Sequence, residues 1–287
     1  MRFALCCTAG QENLYIREWV EHHIRQGFDK IIIYTTVPNE NPQHILFDYV
    51  VNGIVDIIPW YPQNKDKIFQ DDVQCPAYND CLERYKDSFD WIAFFDVDEF
   101  LDVYCGNIHT WFSSMPVLDQ CDSVIVNWYA MDSNGKLYYE DKPVQERFTH
   151  HKNFKWIYPG AEYVDCIFKS IVNTKTTKRF KKNPHMLYGL CGAEEDKLHV
   201  YTTGAYMMYA SSLFGYSISN PDFSHAKLKH YRTKSLIEYI SRKLGNGWNA
   251  YGITPEYTKE SFMAENEWTR EHEFVFNAYV NNLKNKE

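Results

Sequence analysis

The chain has 287 residues, which is enough for one large α/β domain or two small ones. Hydrophobic residues make up 45% and charged residues 24%, as in ordinary globular proteins, and the formal net charge of −8 argues against a nucleic-acid-binding protein. No segment approaches the roughly 20 consecutive apolar residues of a membrane-spanning helix, so any membrane contact is predicted to be peripheral.

The charge is divided unevenly along the chain. Residues 1–150 carry 11 Lys and Arg against 24 Asp and Glu, a net charge of −13, whereas residues 151–287 carry 19 against 14, a net charge of +5. An acidic half beside a basic half suits a cation held next to an anionic substrate, although solvated surfaces give the same arithmetic.

The eight cysteines include no C-x-x-C pair and no spacing typical of a zinc site. Several lie within apolar runs, as free buried thiols do, so we expect them to be reduced. The first residues show no signal-peptide pattern. These features together predict a cytoplasmic protein.

Predicted strands and helices alternate in the first third of the chain. Apolar runs predict strands at residues 2–8, 30–35 and 54–58, and helical spacing predicts a helix at residues 11–26. Adjacent positions of a helix point about 100° apart, so the tandem His22–His23 is predicted to lie on a helical surface face. This alternation predicts a doubly wound, mostly parallel sheet with helices on both faces.

The stretch WIAFFDVDEFL at residues 91–101 follows a predicted loop and helix at residues 70–86. Its apolar run suits a strand that is buried on both faces. Chain order places Asp96 and Asp98 at the carboxyl end of that strand, where open α/β sheets bind ligands. In an extended chain the two carboxylates share a side and can hold a hard cation; the alternative is a solvated acidic turn.

The pattern loosens after residue 105. Strands are predicted at residues 123–128 and 164–172. Residues 175–182 hold five basic side chains, which form a solvated loop or bind a phosphate, an anionic acceptor or a membrane surface.

Residues 224–247 contain a second informative segment. Ser235 and Glu238 fit a capping box at the start of a helix. Lys234 then lies at the helix N-terminus, which favours anions, and His230 lies just before it. The alternatives are a capped surface helix and a phosphate-binding role. The tail from Pro255 is predicted to form one or two helices that pack on the main domain.

Taken together, the sequence resembles nucleotide-sugar glycosyltransferases of the GT-A fold, in the family 2-like and family 92 group. The matching segments are QENLYIREWVEHHIRQGFDKIIIY near the N-terminus, Gln74 with Ala77–Tyr78–Asn79, WIAFFDVDEFL, FKSIVN at 168–173 and KHYRTKS at 229–235. Relatives commonly carry Asn-Glu after the first strand and Asp-Asn-Gly-Ser after the second. This chain has Gln11–Glu12–Asn13 and Thr35–Thr36–Val37–Pro38 at those places.

The resemblance implies a divalent cation, Mn²⁺ or Mg²⁺, on the diphosphate of a sugar nucleotide. The implied metal ligands are Asp96, Asp98 and His230. The implied donor-binding residues are Glu12, Thr35, Gln74, Asn79, Asp96, Lys169 and Lys234.

An inverting enzyme also needs a carboxylate that takes the proton of the acceptor hydroxyl. The sequence leaves several candidates open, which are Glu99, Glu162, Glu194, Glu195, Asp196 and Asp222. Glu99 is adjacent to the predicted metal motif, so its role is either proton transfer or orientation of the site.

The resulting prediction is a GT-A-type catalytic domain at residues 1–250 and a C-terminal helical extension at residues 251–287. Residues 1–104 are predicted to bind the nucleotide sugar and residues 105–250 the acceptor. The predicted activity is metal-dependent transfer from a UDP-sugar to a glycan or glycolipid acceptor, in lipopolysaccharide, capsule or other surface polysaccharide synthesis. The alternatives are a metal-dependent phosphohydrolase or nucleotidyltransferase, and a non-catalytic carbohydrate-binding protein. The protein is predicted to be cytoplasmic, with peripheral membrane contact through residues 175–182.

Overall fold

The structure is a computed structural model that describes most of the chain. The described residues are 1–38, 42–61, 73–115, 118–153, 155–158, 161–176, 179–181, 183–185, 187, 199–205, 210–211, 216–217, 220–244 and 258–284.

The strands and helices follow the predicted alternation in the first third of the chain. The strands are β1 (Phe3–Ala9), β2 (Lys30–Thr35), β3 (Val55–Pro59), β4 (Trp91–Phe94), β5 (Glu99–Val103), β6 (Ser123–Ala130), β7 (Lys155–Tyr158), β8 (Ala161–Val164), β9 (Phe168–Asn173), β10 (His199–Val200), β11 (Ala210–Ser211), β12 (Tyr216–Ser217) and β13 (Ala226–His230). The helices are α1 (Ile16–Arg25), α2 (Pro42–Ile45), α3 (Phe47–Val51), α4 (Cys75–Tyr85), α5 (Ile108–Ser113), α6 (Val144–Arg147), α7 (Leu236–Tyr239), α8 (Lys259–Glu265) and α9 (Arg270–Lys284). A π-helical turn, Ile240–Leu244, extends α7, and a 3-10 turn spans Leu118–Gln120.

One mixed sheet organises the described part of the chain. Its order is β3-β2-β1-β4-β9-β6-β13-β5, and β10 pairs with β6. The pairs β1–β2, β1–β4, β2–β3, β6–β10 and β6–β13 are parallel, whereas β9 is antiparallel to β4 and β6, and β5 is antiparallel to β13. The predicted α/β fold with a mostly parallel sheet is confirmed.

The central strands are buried on both faces because helices cover both sides of the sheet. In β1, Phe3, Leu5 and Cys7 belong to one apolar cluster and Ala4 and Cys6 to another. The first cluster includes residues of α1 and α5, and the second includes residues of α4. Alternating side chains of one strand therefore enter different cores, which explains the continuous apolar runs in the sequence.

Helix α1 begins at Ile16, later than the predicted residue 11. Its apolar positions Ile16, Trp19 and Val20 are buried against the sheet. Gly27 follows the helix with a φ of +98°, and a Cβ there would lie 3.2 Å from the ring of His109. A side chain at this position is therefore disfavoured by both the backbone conformation and the neighbouring ring.

The side chains of α1 also cover the free edge of β5, the last strand of the sheet. Trp19 donates a hydrogen bond to the carbonyl of Glu99, and the amide of Leu101 donates one to Nε2 of His23. His22 Nε2 contacts the Leu101 carbonyl. Both histidines are buried, so the predicted surface position of His22–His23 is wrong. The reason is that an edge strand exposes unpaired backbone groups, and these rings satisfy them in place of another strand.

The C-terminal helices α8 and α9 pack against α7 in a small apolar cluster. Phe262 and Val275 contact the cluster of Leu236, Tyr239 and Ile240. The predicted domain boundary at residue 250 lies outside the described residues. Across the described ranges, none of the helices has both the length and the apolar character to cross a membrane.

A buried ion pair joins α6 to α7 and the start of α1. Arg147 and Glu238 form two hydrogen bonds, of 2.7 and 3.0 Å, and Glu238 also accepts hydrogen bonds from the hydroxyls of Tyr15 and Ser235. Burial raises the pKa of the Glu238 carboxyl, but Arg147, Ser235 and Tyr15 outweigh that effect and lower it. The predicted capping box of Ser235 and Glu238 is confirmed.

Glu238→Gln should destabilise the protein at pH 7, because it leaves the buried Arg147 cation without its carboxylate. Breaking one partner of a buried pair costs about 3–5 kcal/mol. The folded-state pKa of Glu238 lies below its ordinary value of 4.5, so the contribution of the carboxylate is complete above that value and disappears as the pH falls through the folded-state pKa. Urea unfolding of both proteins at pH 7 and at a series of pH values below 4.5 measures this difference. A control variant, Asp48→Asn, breaks an exposed ion pair with Arg17 and should barely change the urea midpoint.

Candidate active site

The carboxyl ends of β1, β2 and β4 lie at one edge of the sheet. β2 and β3 follow β1 on one side, whereas β4 pairs with the other side of β1. The strand order therefore reverses between β1 and β4, and α/β sheets bind ligands at the carboxyl edge of such a point. Glu12 follows β1 and Asp96 follows β4. The predicted position of the acidic segment is confirmed.

The acidic segment is a turn and not a continuous strand. β4 ends at Phe94 and β5 begins at Glu99, so Asp96 and Asp98 lie between the two strands. The amide of Glu99 donates to the Asp96 carbonyl at 2.9 Å, and the amide of Asp96 donates to Glu99 Oε2 at 2.7 Å. The predicted extended geometry at these residues is therefore wrong, because the chain turns here to enter β5.

The Asp96 carboxylate accepts hydrogen bonds on both oxygens. Oδ2 accepts from Lys169 Nζ at 2.7 Å, and Oδ1 accepts from Gln74 Nε2 at 2.8 Å and from the Tyr78 hydroxyl at 3.3 Å. Its side chain is 33% exposed, so part of the carboxylate still faces solvent. Lys169 and Gln74, both predicted to bind the donor, are thus brought to the predicted acidic motif.

His230 lies beside Asp98, as the sequence predicts. Antiparallel pairing of β13 with β5 aligns His230 with Glu99, and the amide of Tyr231 donates to the Asp98 carbonyl at 2.8 Å. This register brings His230 Nε2 to 3.5 Å from Asp98 Oδ1. Burial lowers the pKa of His230 and Asp98 opposes that effect only in part, so the imidazole is neutral near pH 7, as metal binding requires.

Glu99 is fully buried at the centre of these contacts. Oε1 accepts from the indole nitrogen of Trp128 at 2.7 Å, and Oε2 lies 3.7 Å from Lys169 Nζ. The Trp128 ring in turn packs on the His230 ring, with centroids 4.1 Å apart. Burial raises the pKa of the Glu99 carboxyl well above its ordinary value, and Lys169 opposes that rise only in part. This enclosure favours an orienting role for Glu99 over the predicted role as a proton acceptor.

Lys169 supplies a buried positive charge next to the acidic turn. Burial lowers the pKa of its ammonium, but the carboxylates of Asp96 and Glu99 outweigh that effect and raise it. The side chain has no exposed area. Lys169 therefore stays protonated and neutralises one of the two carboxylates that it contacts.

The residues at this edge fit a divalent cation with two protein ligands. Asp98 and His230 supply a carboxylate oxygen and an imidazole nitrogen, a mixed set that suits Mn²⁺ better than Mg²⁺, which favours oxygen. Within the described residues, no three His, Cys, Asp or Glu side chains are grouped to hold a metal, so the predicted set of Asp96, Asp98 and His230 is not assembled. The reason is that Asp96 is held by Lys169. Water and substrate phosphate are the usual additional ligands of such a cation.

The other predicted donor-binding residues lie at the same edge or close to it. Glu12 forms an ion pair with Arg242 of the π-helical turn. Thr35 is buried at the end of β2, and its carbonyl accepts a hydrogen bond from Trp60.

Asn79 and Lys234 make contacts with the protein itself. The Asn79 amide forms two hydrogen bonds with the backbone of Phe180, so it fixes residues 179–181 on α4. Lys234 is buried, donates to the Tyr231 carbonyl and lies 4.5 Å from the ring centre of Tyr15. Its ammonium is therefore directed into the protein. The sequence instead predicts that it faces the solvent and binds the diphosphate of the donor.

Of the predicted base candidates in the second half, Asp222 is described, whereas Glu194, Glu195 and Asp196 lie outside the described residues. Glu162 lies on β8. Asp222 accepts hydrogen bonds from the Thr202 hydroxyl and from the amides of Thr203 and Ser224. Burial raises the pKa of its carboxyl, but these hydrogen bonds outweigh that effect and lower the pKa. This environment suits a carboxylate that organises two loops.

Three site residues were missed from the sequence, which are Tyr78, Trp128 and His185. Tyr78 contacts Asp96, and Trp128 links Glu99 to His230. His185 Nδ1 contacts the Phe168 carbonyl at 2.8 Å, and its ring lies 5.4 Å from that of Trp128. Burial, together with the charge of Lys169, lowers the pKa of His185 to about 3. Of these three residues, only Tyr78 could have been found from the sequence, because it belongs to a matching segment and lies one helical turn after Gln74.

Comparison with known proteins supports the resemblance. Residues 2–117 match the family model for glycosyltransferase family 92. This range contains β1, β4 and the acidic turn. The match confirms the predicted resemblance to glycosyltransferase family 92 over these residues.

Solved structures give low similarities, which by themselves carry no functional argument. S. aureus TarS 1–349 in complex with UDP has a TM-score of 0.34 and 13% identity, covering 49% of this chain and 38% of that one. S. aureus TarS 1–349 has a TM-score of 0.39 and 12% identity, covering 85% and 64%. A 4-diphosphocytidyl-2C-methyl-D-erythritol synthase has a TM-score of 0.31 and 8% identity, covering 60% and 75%. This chain thus spans less than two thirds of the TarS chains, and the comparison with curated proteins gave no match.

Asp222→Ala should lower the free energy of unfolding by about 1–3 kcal/mol, because three donors in two loops lose their acceptor. Asp222→Asn keeps one acceptor oxygen and should lose less. Urea unfolding of the three proteins measures this order. An Asp222→Ala protein with unchanged stability would contradict the loop-organising role and would favour Asp222 as a proton acceptor.

Proposed function

We propose that this protein is a metal-dependent glycosyltransferase that uses a nucleotide-sugar donor, a UDP-sugar, and a glycan or glycolipid acceptor. The observation that carries the proposal is that the family 92 match includes the acidic turn, at the carboxyl edge where β13 brings His230 to 3.5 Å from Asp98. The resemblance supports the UDP-sugar. It also supports a role in the synthesis of lipopolysaccharide, capsule or another surface polysaccharide.

The side chains at this edge have separable roles in such a transfer. Asp98 and His230 would hold a divalent cation, which when bound would supply positive charge that stabilises the diphosphate leaving group. Asp96, whose carboxylate is oriented by Gln74 and Lys169, accepts hydrogen bonds from hydroxyls of the donor. The neutral His230 ring is fixed by its contact with Trp128. Preorganised groups of this kind cost little reorganisation during the reaction.

The basic segment at residues 175–182 is the proposed contact with an anionic acceptor or a membrane surface in the cytoplasm. Lys175 and Lys181 are exposed, whereas Phe180 is buried and held by Asn79. The buried ring supports this assignment, because it anchors one part of the segment while neighbouring cations remain in solvent.

The direct test is incubation of the purified protein with a panel of UDP-sugars, Mn²⁺ and glycan acceptors. We expect released UDP in proportion to the transferred sugar, with a UDP-dependent rise in melting temperature when Mn²⁺ is present. Cleavage between the phosphates of the nucleotide would show a phosphohydrolase instead. Carbohydrate binding that is unaffected by metal and nucleotide would show a non-catalytic protein.

Asp98→Asn should reduce kcat/KM by about a hundredfold or more, because the cation loses its carboxylate ligand beside the developing charge. The matched control is Asp102→Asn, which removes a carboxylate on β5, the strand after the acidic turn, where Asp102 pairs with Lys229. The control should retain wild-type Mn²⁺ affinity, measured by electron paramagnetic resonance. If Asp98→Asn and Asp102→Asn lost Mn²⁺ affinity and kcat/KM to the same extent, the assignment of Asp98 as a metal ligand would be contradicted.

His230→Ala should weaken Mn²⁺ binding by about tenfold or more, since one of two protein ligands is lost. His150→Ala is the control, because its ring is 70% exposed and the residue is not among those that pair β13 with β5. Titration of Mn²⁺ in the presence of UDP measures both affinities. Unchanged Mn²⁺ affinity in the His230 variant would remove this residue from the proposed site.

A further inference from the structure

The two residues that hold the acidic turn are hidden from any donor molecule. The side chains of Lys169 and Glu99 both have 0% exposure, and Nζ lies 3.7 Å from Oε2. A lysine that binds a diphosphate directly needs an exposed ammonium. Lys169 instead directs its ammonium to Asp96 and Glu99.

We propose that Lys169 and Glu99 form a buried ion pair that positions both halves of the donor-binding edge, Asp96 on one side and His230 on the other. The inference rests on the proposed function and extends it to two residues that touch neither the donor nor the cation. Both are positioning residues.

The first half of the connection runs to Asp96. Lys169 Nζ binds Asp96 Oδ2 at 2.7 Å, and Glu99 Oε2 accepts the Asp96 amide at 2.7 Å. The pair therefore holds the backbone and the carboxylate of Asp96 at the same time. With one oxygen taken by Lys169, this carboxylate is turned away from a shared cation, in agreement with the absence of a three-ligand group in the described residues.

The second half runs through Trp128 to His230. Glu99 Oε1 accepts the indole N–H at 2.7 Å, which fixes the ring of Trp128. That ring packs on His230 at a centroid distance of 4.1 Å, and His230 Nε2 lies 3.5 Å from Asp98 Oδ1. Each oxygen of Glu99 thus controls a different side of the site.

Charge balance explains why the two residues act as a unit. Glu99 is enclosed, so its charge requires the Lys169 cation, whereas Asp96 is partly exposed and is also bonded to Gln74. Removing Lys169 alone leaves an unpaired buried carboxylate, which is strongly unfavourable. Removing the charge of Glu99 as well restores the balance in the interior.

The experiment is a double-mutant cycle of Lys169→Met, Glu99→Gln and the combined variant. The measurements are the affinity for UDP with Mn²⁺ by calorimetry, the Mn²⁺ affinity alone, the melting temperature, and the kcat and KM for transfer. Lys30→Met is the control, because Lys30 pairs with Asp56 on β3 at the amino end of β2. It should bind UDP and Mn²⁺ like the wild type.

We expect Lys169→Met to bind UDP with Mn²⁺ about 10–100-fold more weakly, as for other residues that orient ligands. Glu99→Gln should have a smaller effect, since Lys169 keeps Asp96 as a partner. The combined variant should recover affinity by about tenfold over Lys169→Met, and it should also recover melting temperature. If the second substitution restores affinity for the donor, the ion pair positions the donor-binding residues. A pair with a purely structural role would change only the melting temperature.

A direct contact of Lys169 with the donor gives a different pattern. In that case the combined variant stays as weak as Lys169→Met, which overturns the inference. If Lys169→Met does not fold, the combined variant is compared with Glu99→Gln, and an affinity more than about tenfold lower again overturns it. If the wild type bound no nucleotide, the proposed function would fail. The same double-mutant cycle, measured by Mn²⁺ affinity alone, would then still show whether the pair positions the metal ligands.

Discussion

The enclosed carboxylate of Glu99 is the contact on which the geometry of the candidate site depends. It accepts the Asp96 amide, lies next to Lys169 and binds the indole of Trp128. These three partners come from the acidic turn, β9 and β6, and β13 adds His230 through the Trp128 ring. A buried charge is tolerated only when such partners surround it, so the acidic turn is held in one conformation by the same contacts that make its burial possible.

The edge of the sheet is completed by α1 in an unusual way. Trp19, His22 and His23 satisfy the backbone of β5, the strand that begins directly after the acidic turn. The ring of His23 accepts from the Leu101 amide and contacts the Trp19 carbonyl through Nδ1, so it must be neutral with its proton on Nδ1. Burial lowers its pKa well below the ordinary value, which agrees with this arrangement. A helix near the N-terminus therefore stabilises the strand that carries Glu99.

The charge asymmetry of the sequence has a local counterpart at this site. Asp96, Asp98 and Glu99 come from the acidic half, whereas Lys169 and His230 come from the basic half. The antiparallel insertion of β9 between β4 and β6 brings Lys169 to the acidic turn. The pairing of β13 with β5 does the same for His230. Strands of the acidic half and of the basic half thus pair within one sheet. The candidate site forms where these strands lie side by side.

The sequence by itself determined the first strands, the helices between them, the position of Asp96 and Asp98 at the carboxyl edge, and the capping box of Ser235 and Glu238. These features depend on local periodicity and on chain order, which a sequence carries directly. Only the tertiary structure decided which carboxylates are enclosed, that Lys169 faces Asp96, and that His22 and His23 are buried on β5. Those outcomes depend on the register and direction of strands far apart in the chain. Burial and charge pairing follow from that register, and no local pattern contains it.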